Sequence, residues 1–281
     1  MPEHCCTALT TANQSITPGS HHRSDRLAIA DICPIVPAAA LLFLTLNPAC
    51  AQERTSRFDI EAGVITTQNM EIHGYNQGNA TAGWKKSGAD VRVEYWNTKQ
   101  NDWNYGVVFQ PLNLNYSGVL TNNLNYQGQV FHAGDPATLS YQFPTLRFTA
   151  NSPIFESGAG DSYLRTGGSL IVRYARIGLS SPTSSFVSIN LIALPTFNIE
   201  ASKAIGNGYS LFTRSDFLPS IDGNVFLDGL FDIFAGIRKS LGDGKSLDAG
   251  LRMFFGGYNP NTPDDYANRI FFNSFVVRYS S

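Results

Sequence analysis

The sequence predicts an all-β chain, a transmembrane, antiparallel, up-and-down β-barrel of about ten strands, with eight as the alternative. Three observations carry that expectation. From Gly223 to Leu241 the residues alternate, with Val225, Leu227, Gly229, Phe231, Ile233, Ala235 and Ile237 on one face and Asp228, Asp232, Gly236 and Arg238 on the other. A period of two is the period of a strand. The turn Gly242-Asp243-Gly244-Lys245 follows, and alternation resumes with Leu247, Ala249, Leu251, Met253 and Phe255 against Asp248, Gly250 and Arg252. Asp-Gly in so tight a link is a strong hairpin signal. Finally, the rows opposite the apolar ones carry Asp and Arg instead of a second layer of core. That suits a sheet with lipid on its apolar side and a polar lumen on the other.

Composition agrees with this class. The 281 residues are 43% hydrophobic and only 15% charged, well below the roughly 25% charge of an ordinary soluble domain. No apolar run of about 20 residues occurs after residue 51, which excludes a bundle of membrane-spanning helices. The formal net charge is −2 with no basic block, which argues against nucleic acid as a partner. Cys5, Cys6, Cys33 and Cys50 all lie near the front, so the remainder offers no disulfide framework, thiolate nucleophile or Cys-ligated zinc. Without a His-x-x-x-His pair or a phosphate loop, no metal or cofactor is expected. Asp222-Gly223-Asn224 and Asp243-Gly244 read as turns before calcium sites.

Residues 1–51 read as a secretory signal peptide behind a polar leader, and residues 52–281 as the barrel. Arg23 and Arg26 precede the apolar stretch Ile35 to Leu46, and small residues in Ala49-Cys50-Ala51 mark cleavage after Ala51. Pro34, Pro37 and Pro48 and the shortness of the stretch weigh against a spanning helix.

The mature chain then divides into strands. Strand one, Arg57 to Thr66, alternates Phe58, Ile60, Ala62 and Val64 with Asp59, Glu61 and Gly63. A loop from Thr67 to Gly88 leads to strand two, where Ala89, Val91, Val93 and Tyr95 oppose Asp90, Arg92 and Glu94. Tyr105, Val107 and Phe109 define strand three, and a long loop from Tyr116 to Ala137 follows. The next strands run from about Thr138 to Asn151, Tyr163 to Leu179, Phe186 to Ala201 and Tyr209 to Phe217, the last pair joined by Gly206-Asn207-Gly208. The two alternating segments described first and a segment with Phe271, Phe275, Val277 and Tyr279 complete the set. An even count places both termini on the periplasmic side, with the short turns. Trp84, Tyr95, Trp96, Trp103, Tyr105, Tyr258, Tyr266 and Tyr279 fall near strand ends, where aromatic belts meet the membrane interfaces.

From Gly128 onward the chain resembles an uncharacterised family of proteobacterial outer-membrane β-barrel proteins. The resemblance rests on Gln127-Gly128-Gln129-Val130-Phe131, Ser140-Tyr141-Gln142-Phe143, Leu146-Arg147-Phe148-Thr149, Phe197-Asn198-Ile199-Glu200 and Phe275-Val276-Val277-Arg278-Tyr279-Ser280, in that order. It implies a barrel in a Gram-negative outer membrane, placed there by the barrel-assembly machinery, and brings no activity with it. Such barrels usually end in an aromatic residue that this machinery reads. Here Ser281 stands at that place, which predicts a weaker insertion signal.

The rows expected to face the lumen hold Asp59, Glu61, Asp90, Arg92, Glu94, Glu200, Arg214, Asp216, Asp228, Asp232, Arg238, Asp248, Arg252 and Arg278. A ten-stranded barrel is narrow, and charges inside it must be paired. Mixed signs therefore predict an ion-pair network, with a structural role or a narrow path for small solutes. The alternative is a surface-exposed enzyme, protease or lipid-modifying, or an adhesin. After Ala51 only His73 and His132 could serve as a general base, with Asp264-Asp265 as an acidic partner. Catalysis is the less favoured reading, and no catalytic residue is assigned.

Overall fold

In the computed structural model the described residues are 55–74, 78–99, 102–126, 128–157, 161–219, 229–258 and 266–281. The proposed leader and signal peptide lie outside them. The described residues form twelve strands: β1 (Thr55–Gly74), β2 (Lys85–Thr98), β3 (Asn104–Val119), β4 (Leu124–Tyr126), β5 (Gln129–Phe131), β6 (Pro136–Glu156), β7 (Tyr163–Ser180), β8 (Ser185–Gly206), β9 (Tyr209–Leu218), β10 (Leu230–Gly242), β11 (Lys245–Tyr258) and β12 (Tyr266–Ser280). Ten of them close a barrel in the order β1-β12-β11-β10-β9-β8-β7-β6-β3-β2, while β4 and β5 form a separate hairpin. Every barrel pair is antiparallel.

Two of the short connections are set by local chemistry. Asn207 and Gly208 have φ of 55° and 72°, and Asp243 and Gly244 have 51° and 76°. Positive φ at both central residues is the primed turn whose twist matches a hairpin. The ring closes where β1 meets β12, from Asp59↔Ser280 to Gly74↔Tyr266. There the Phe58 N–H donates to the Ser281 carbonyl at 2.9 Å, and the Ser281 N–H donates back to Phe58 at 2.9 Å.

Several strands run past their sequence-predicted ends. β1 continues to Gly74, β3 to Val119 and β8 to Gly206, while β2 begins at Lys85. The segment from Tyr116 to Ala137, expected as loop, contains the β4–β5 hairpin. The cause is an exchange of polarity between the two faces partway up the wall. On β3, Val107, Phe109 and Pro111 face out and Gln110 faces in; beyond them Leu112, Leu114 and Tyr116 face in and Asn113 and Asn115 face out. On β6, Leu146 and Phe148 face out with Arg147 and Thr149 inside, whereas higher up Tyr141 and Phe143 turn in and Ser140 and Gln142 turn out. The exchange marks where the wall leaves hydrocarbon, since an exterior in water has no use for apolar side chains and the interior then takes them. The lumen is therefore charged only toward the end with the short turns. Toward the other end it is an apolar core, contrary to the polar interior expected throughout.

That core gathers Met70, Ile72, Leu112, Leu114, Leu139, Tyr141, Ile177, Phe254, Ile270 and Phe272 from the wall with Leu120, Leu124, Tyr126 and Phe131 from the β3–β6 connection. The connection is pinned by the Ser184 hydroxyl donating to the Val130 carbonyl at 2.6 Å and by Tyr126 against Phe186 at 4.6 Å between ring centres. β1 and β2 pair only as far as Val64↔Ala89. Above that point Asn79 and Thr81 stitch onto β1, Asn79 accepting from the Ile72 N–H at 3.3 Å and Thr81 donating to the Met70 carbonyl at 3.4 Å.

Two aromatic residues expected in the outer belts are inside. Trp96 lies on the inward row of β2 and donates from Nε1 to Glu94 at 2.8 Å. Trp84 packs in the apolar core and donates to the Val119 carbonyl at 3.0 Å. Tyr95, Trp103, Tyr105 and Tyr279 are exposed on the outside; the side chains of Tyr258 and Tyr266 lie outside the described set. Room for Trp96 comes from Gly106 on the neighbouring strand, where a Cβ would sit 2.6 Å from the indole ring. Gly106→Ala is expected to displace the indole and cost about 1–3 kcal/mol. The check is the denaturant midpoint together with the near-ultraviolet circular dichroism of the folded protein.

Candidate functional site

The side chains inside the barrel occupy successive levels. Nearest the short turns, Glu94 on β2 receives Arg214 from β9, on the far side of the ring, at 2.6 Å, and Arg214 Nε reaches Glu200 at 3.3 Å. Tyr163 donates its hydroxyl to Glu200 at 2.7 Å. Arg238 holds Asp248 at 2.9 Å, and Arg278 holds the same carboxylate. Asp59 pairs with Arg57 at 3.0 Å. These arginines also cover apolar rings, Arg214, Arg238 and Arg278 lying 5.8, 4.3 and 4.6 Å from the centre of Phe212. Phe212, Phe234 and Val276 thus form an apolar island between two charged levels.

The second charged level lies at mid-height. Arg92 grips Asp232 across the lumen through two nitrogens, at 2.8 and 3.2 Å. Arg147 from β6 bridges Asp232 and Asp216. Arg252 binds Glu61 and also reaches Asp232 at 3.3 Å and Asp90 at 3.5 Å. Neutral donors complete the coordination: Gln110 and Ser274 on Asp90 at 2.7 and 3.1 Å, and Ser169 and Asn198 on Asp216 at 2.6 and 3.0 Å. Carboxylates held this way by charged and neutral donors avoid the several kcal/mol cost of an unpaired buried ion.

Thirteen of the charged residues singled out in the sequence are therefore inside: Asp59, Glu61, Asp90, Arg92, Glu94, Glu200, Arg214, Asp216, Asp232, Arg238, Asp248, Arg252 and Arg278. Asp228 lies outside the described residues. Sequence reasoning missed Arg147, Arg165 and Arg173, although Thr145, Arg147, Thr149 and Asn151 alternate with Leu146, Phe148 and Ala150 as plainly as any named strand. His132 is exposed, and no carboxylate among the described residues forms an ion pair with it. His73 lies on β1 with its side chain outside the described set, as are Asp264 and Asp265. The described residues hold no group of three or more His, Cys, Asp or Glu side chains placed to bind a metal.

No protein-family model and no curated protein sequence matches the chain. Among solved structures it is similar to the translocator domain of the autotransporter NalP from Neisseria meningitidis, at 11% identity and a TM-score of 0.39, over 86% of this chain and 94% of that one. It is also similar to the attachment invasion locus protein Ail of Yersinia pestis, at 11% identity and a TM-score of 0.32, over 81% and 99%. OprG from Pseudomonas aeruginosa matches at 13% identity and a TM-score of 0.32, over 81% and 97%. The closed ring, the apolar outer rows and the paired charges within are features of this chain's own geometry, and they make it an integral β-barrel of the outer-membrane type.

Proposed function

We propose that the chain is a closed outer-membrane barrel whose interior is a structural core, exported by the segment 1–51 and inserted by the barrel-assembly machinery. Its working surfaces are then the outer end and the wall, not a conduit. One observation carries the reading. At mid-height Glu61 and Asp90 are 0% exposed and Arg92 is 1% exposed, whereas the charges lining a water-filled path must touch water. The apolar core above them, tied to the β3–β6 connection, adds a second barrier of different chemistry. A narrow path for small solutes, the other role the charged rows suggested, would require both levels to part.

Reconstitution into planar bilayers tests the proposal. The wild-type barrel is expected to give no resolvable single-channel steps at physiological salt. Arg92→Ala combined with Arg252→Ala, which removes two of the pins across the lumen, is expected to introduce a leak. Steady unitary current through the wild-type protein would overturn the closed reading.

A further inference from the structure

Where β3, β6 and β7 rise out of the hydrocarbon, their outer face carries a distinct chemistry. The outward residues stand in level rows, set by the register. Pro111 pairs with Pro144 in the last apolar row. Above it Asn113 lies beside Gln142, and Gln142 beside Arg176. Asn115 and Ser140 form the next row with Gly178, and Ser117, Thr138 and Ser180 the one after. Arg176 is the one charged side chain of these three rows. The other polar groups are amides and hydroxyls, which both donate and accept. A sheet face that meets only water ordinarily mixes charges of both signs.

Along β7 the outward side chains change in a definite order. Leu170 and Val172 come first, then Tyr174, then Arg176, then Gly178 and Ser180. Apolar, aromatic, cationic and hydroxyl levels follow one another as acyl chain, interface, phosphate and sugar do in a phosphorylated glycolipid. Among the described residues Arg176 makes one hydrogen bond, from a terminal nitrogen to the Gln142 amide oxygen at 3.5 Å. That is too long to hold the guanidinium firmly. Its neighbours in register are Gln142 on one side and Ile189 on the other, neither of them acidic. The Ser140 hydroxyl leans over Gly178, 3.0 Å from where a Cβ would stand. At the top of the face an open groove of about 560 Å³ is lined by Ser117, Thr138 and Ser180 together with Val119 and Pro136.

We propose that this face holds the phosphorylated saccharide head of an outer-leaflet glycolipid. The planar fork of Arg176 takes a phosphate with two parallel hydrogen bonds. Sugar hydroxyls lie against Gln142, Asn115 and Ser140 and reach toward the groove, while an acyl chain follows Tyr174 and Val172 down the wall. Charge complementarity fixes the anionic end, and the order of levels along β7 fixes which way the lipid lies. The assignment rests on the barrel standing in the outer membrane with its short turns in the periplasm, and it holds whether or not the lumen conducts.

The test is native mass spectrometry of the folded barrel in uncharged detergent, titrated with three probes. These are phosphorylated lipid A carrying its inner core sugars, the same lipid A without them, and phosphatidylglycerol. The wild-type protein is expected to bind the sugar-bearing form saturably and at least about tenfold more tightly than phosphatidylglycerol. Arg176→Gln is expected to weaken both forms of lipid A about tenfold, and Arg176→Lys, which keeps the charge without the fork, to lose only part of that. Asn115→Ala combined with Ser140→Ala is expected to weaken the sugar-bearing form alone. All these side chains point outward, and heat-modifiable migration confirms that each variant is folded. Equal affinity of the wild-type protein for phosphatidylglycerol overturns the proposal, as does undiminished binding by Arg176→Gln. An equal loss from Arg269→Gln, on an outward arginine of β12 that pairs with Glu71, overturns the assignment to this face. Unchanged binding of the sugar-bearing form by the Asn115 and Ser140 double variant removes the saccharide from the site. Failure of the wild-type protein to bind lipid A, with no unitary current in bilayers, overturns this site and leaves the closed barrel standing.

Discussion

Asp232→Ala is expected to lower the stability of the folded barrel by about 3–5 kcal/mol, the usual cost of removing one partner from a buried ion pair. Asp232 receives Arg92 from β2, Arg147 from β6 and Arg252 from β11, so its loss leaves three guanidinium groups facing one another with less compensating charge. Replacing the whole cluster by apolar residues of similar volume would be far milder, because the penalty comes from the charges left behind. Asp232→Asn should fall between wild type and Asp232→Ala, since the amide oxygen still accepts hydrogen bonds. Reversible denaturation in vesicles, followed by heat-modifiable migration on gels, measures the effect. A midpoint for Asp232→Ala indistinguishable from wild type would show that water reaches this level freely.

One residue further along β10 the environment is reversed. Ile233→Arg is expected to cost about 2–4 kcal/mol if the side chain lies near the bilayer midplane, and to reduce the amount of inserted protein. Asp232 is buried inside, Phe234 is buried inside, and Ile233 between them projects from the wall. The register sets Ile233 beside Met253 and Ser215. Transferring the same variant to a detergent micelle, where an arginine can snorkel to water, should recover much of the loss. Normal assembly of Ile233→Arg in vesicles would contradict the outward assignment.

The lower wall was legible because each face keeps one chemistry there. Phe58, Ile60 and Ala62 against Asp59 and Glu61, or Val91 and Val93 against Asp90 and Arg92, give strand, facing and partner class at once. The upper wall was not, because both faces change sign together. Leu112 and Leu114 continue the period of two, but they continue it on the row that had been polar, so the stretch reads as the end of a strand. Trp96 was misplaced for a related reason. Position near a strand end suggested the interface, while its parity with Glu94 put it inside, and parity fixes direction. Arg173 was obscured by the run Leu170-Ile171-Val172, which hides alternation. The register of β8 against β9, from Phe197↔Phe217 to Gly206↔Tyr209 among the described residues, had no signature in the sequence, since register follows from pairing between strands and not from either strand alone.

The seam between β1 and β12 has a kinetic consequence. It joins Asp59 to Ser280, so the ring's final set of backbone bonds links segments separated by almost the whole barrel sequence. Loop closure over such a span is entropically slow, and topologies rich in distant pairings fold late and cooperatively. Hairpins such as β8–β9 and β10–β11, with their primed turns, form from neighbouring residues and come early. A closed cylinder needs every intermediate strand in place. Without that seam both edges are open templates for wrong pairing, so an unsealed ring is the form most exposed to aggregation.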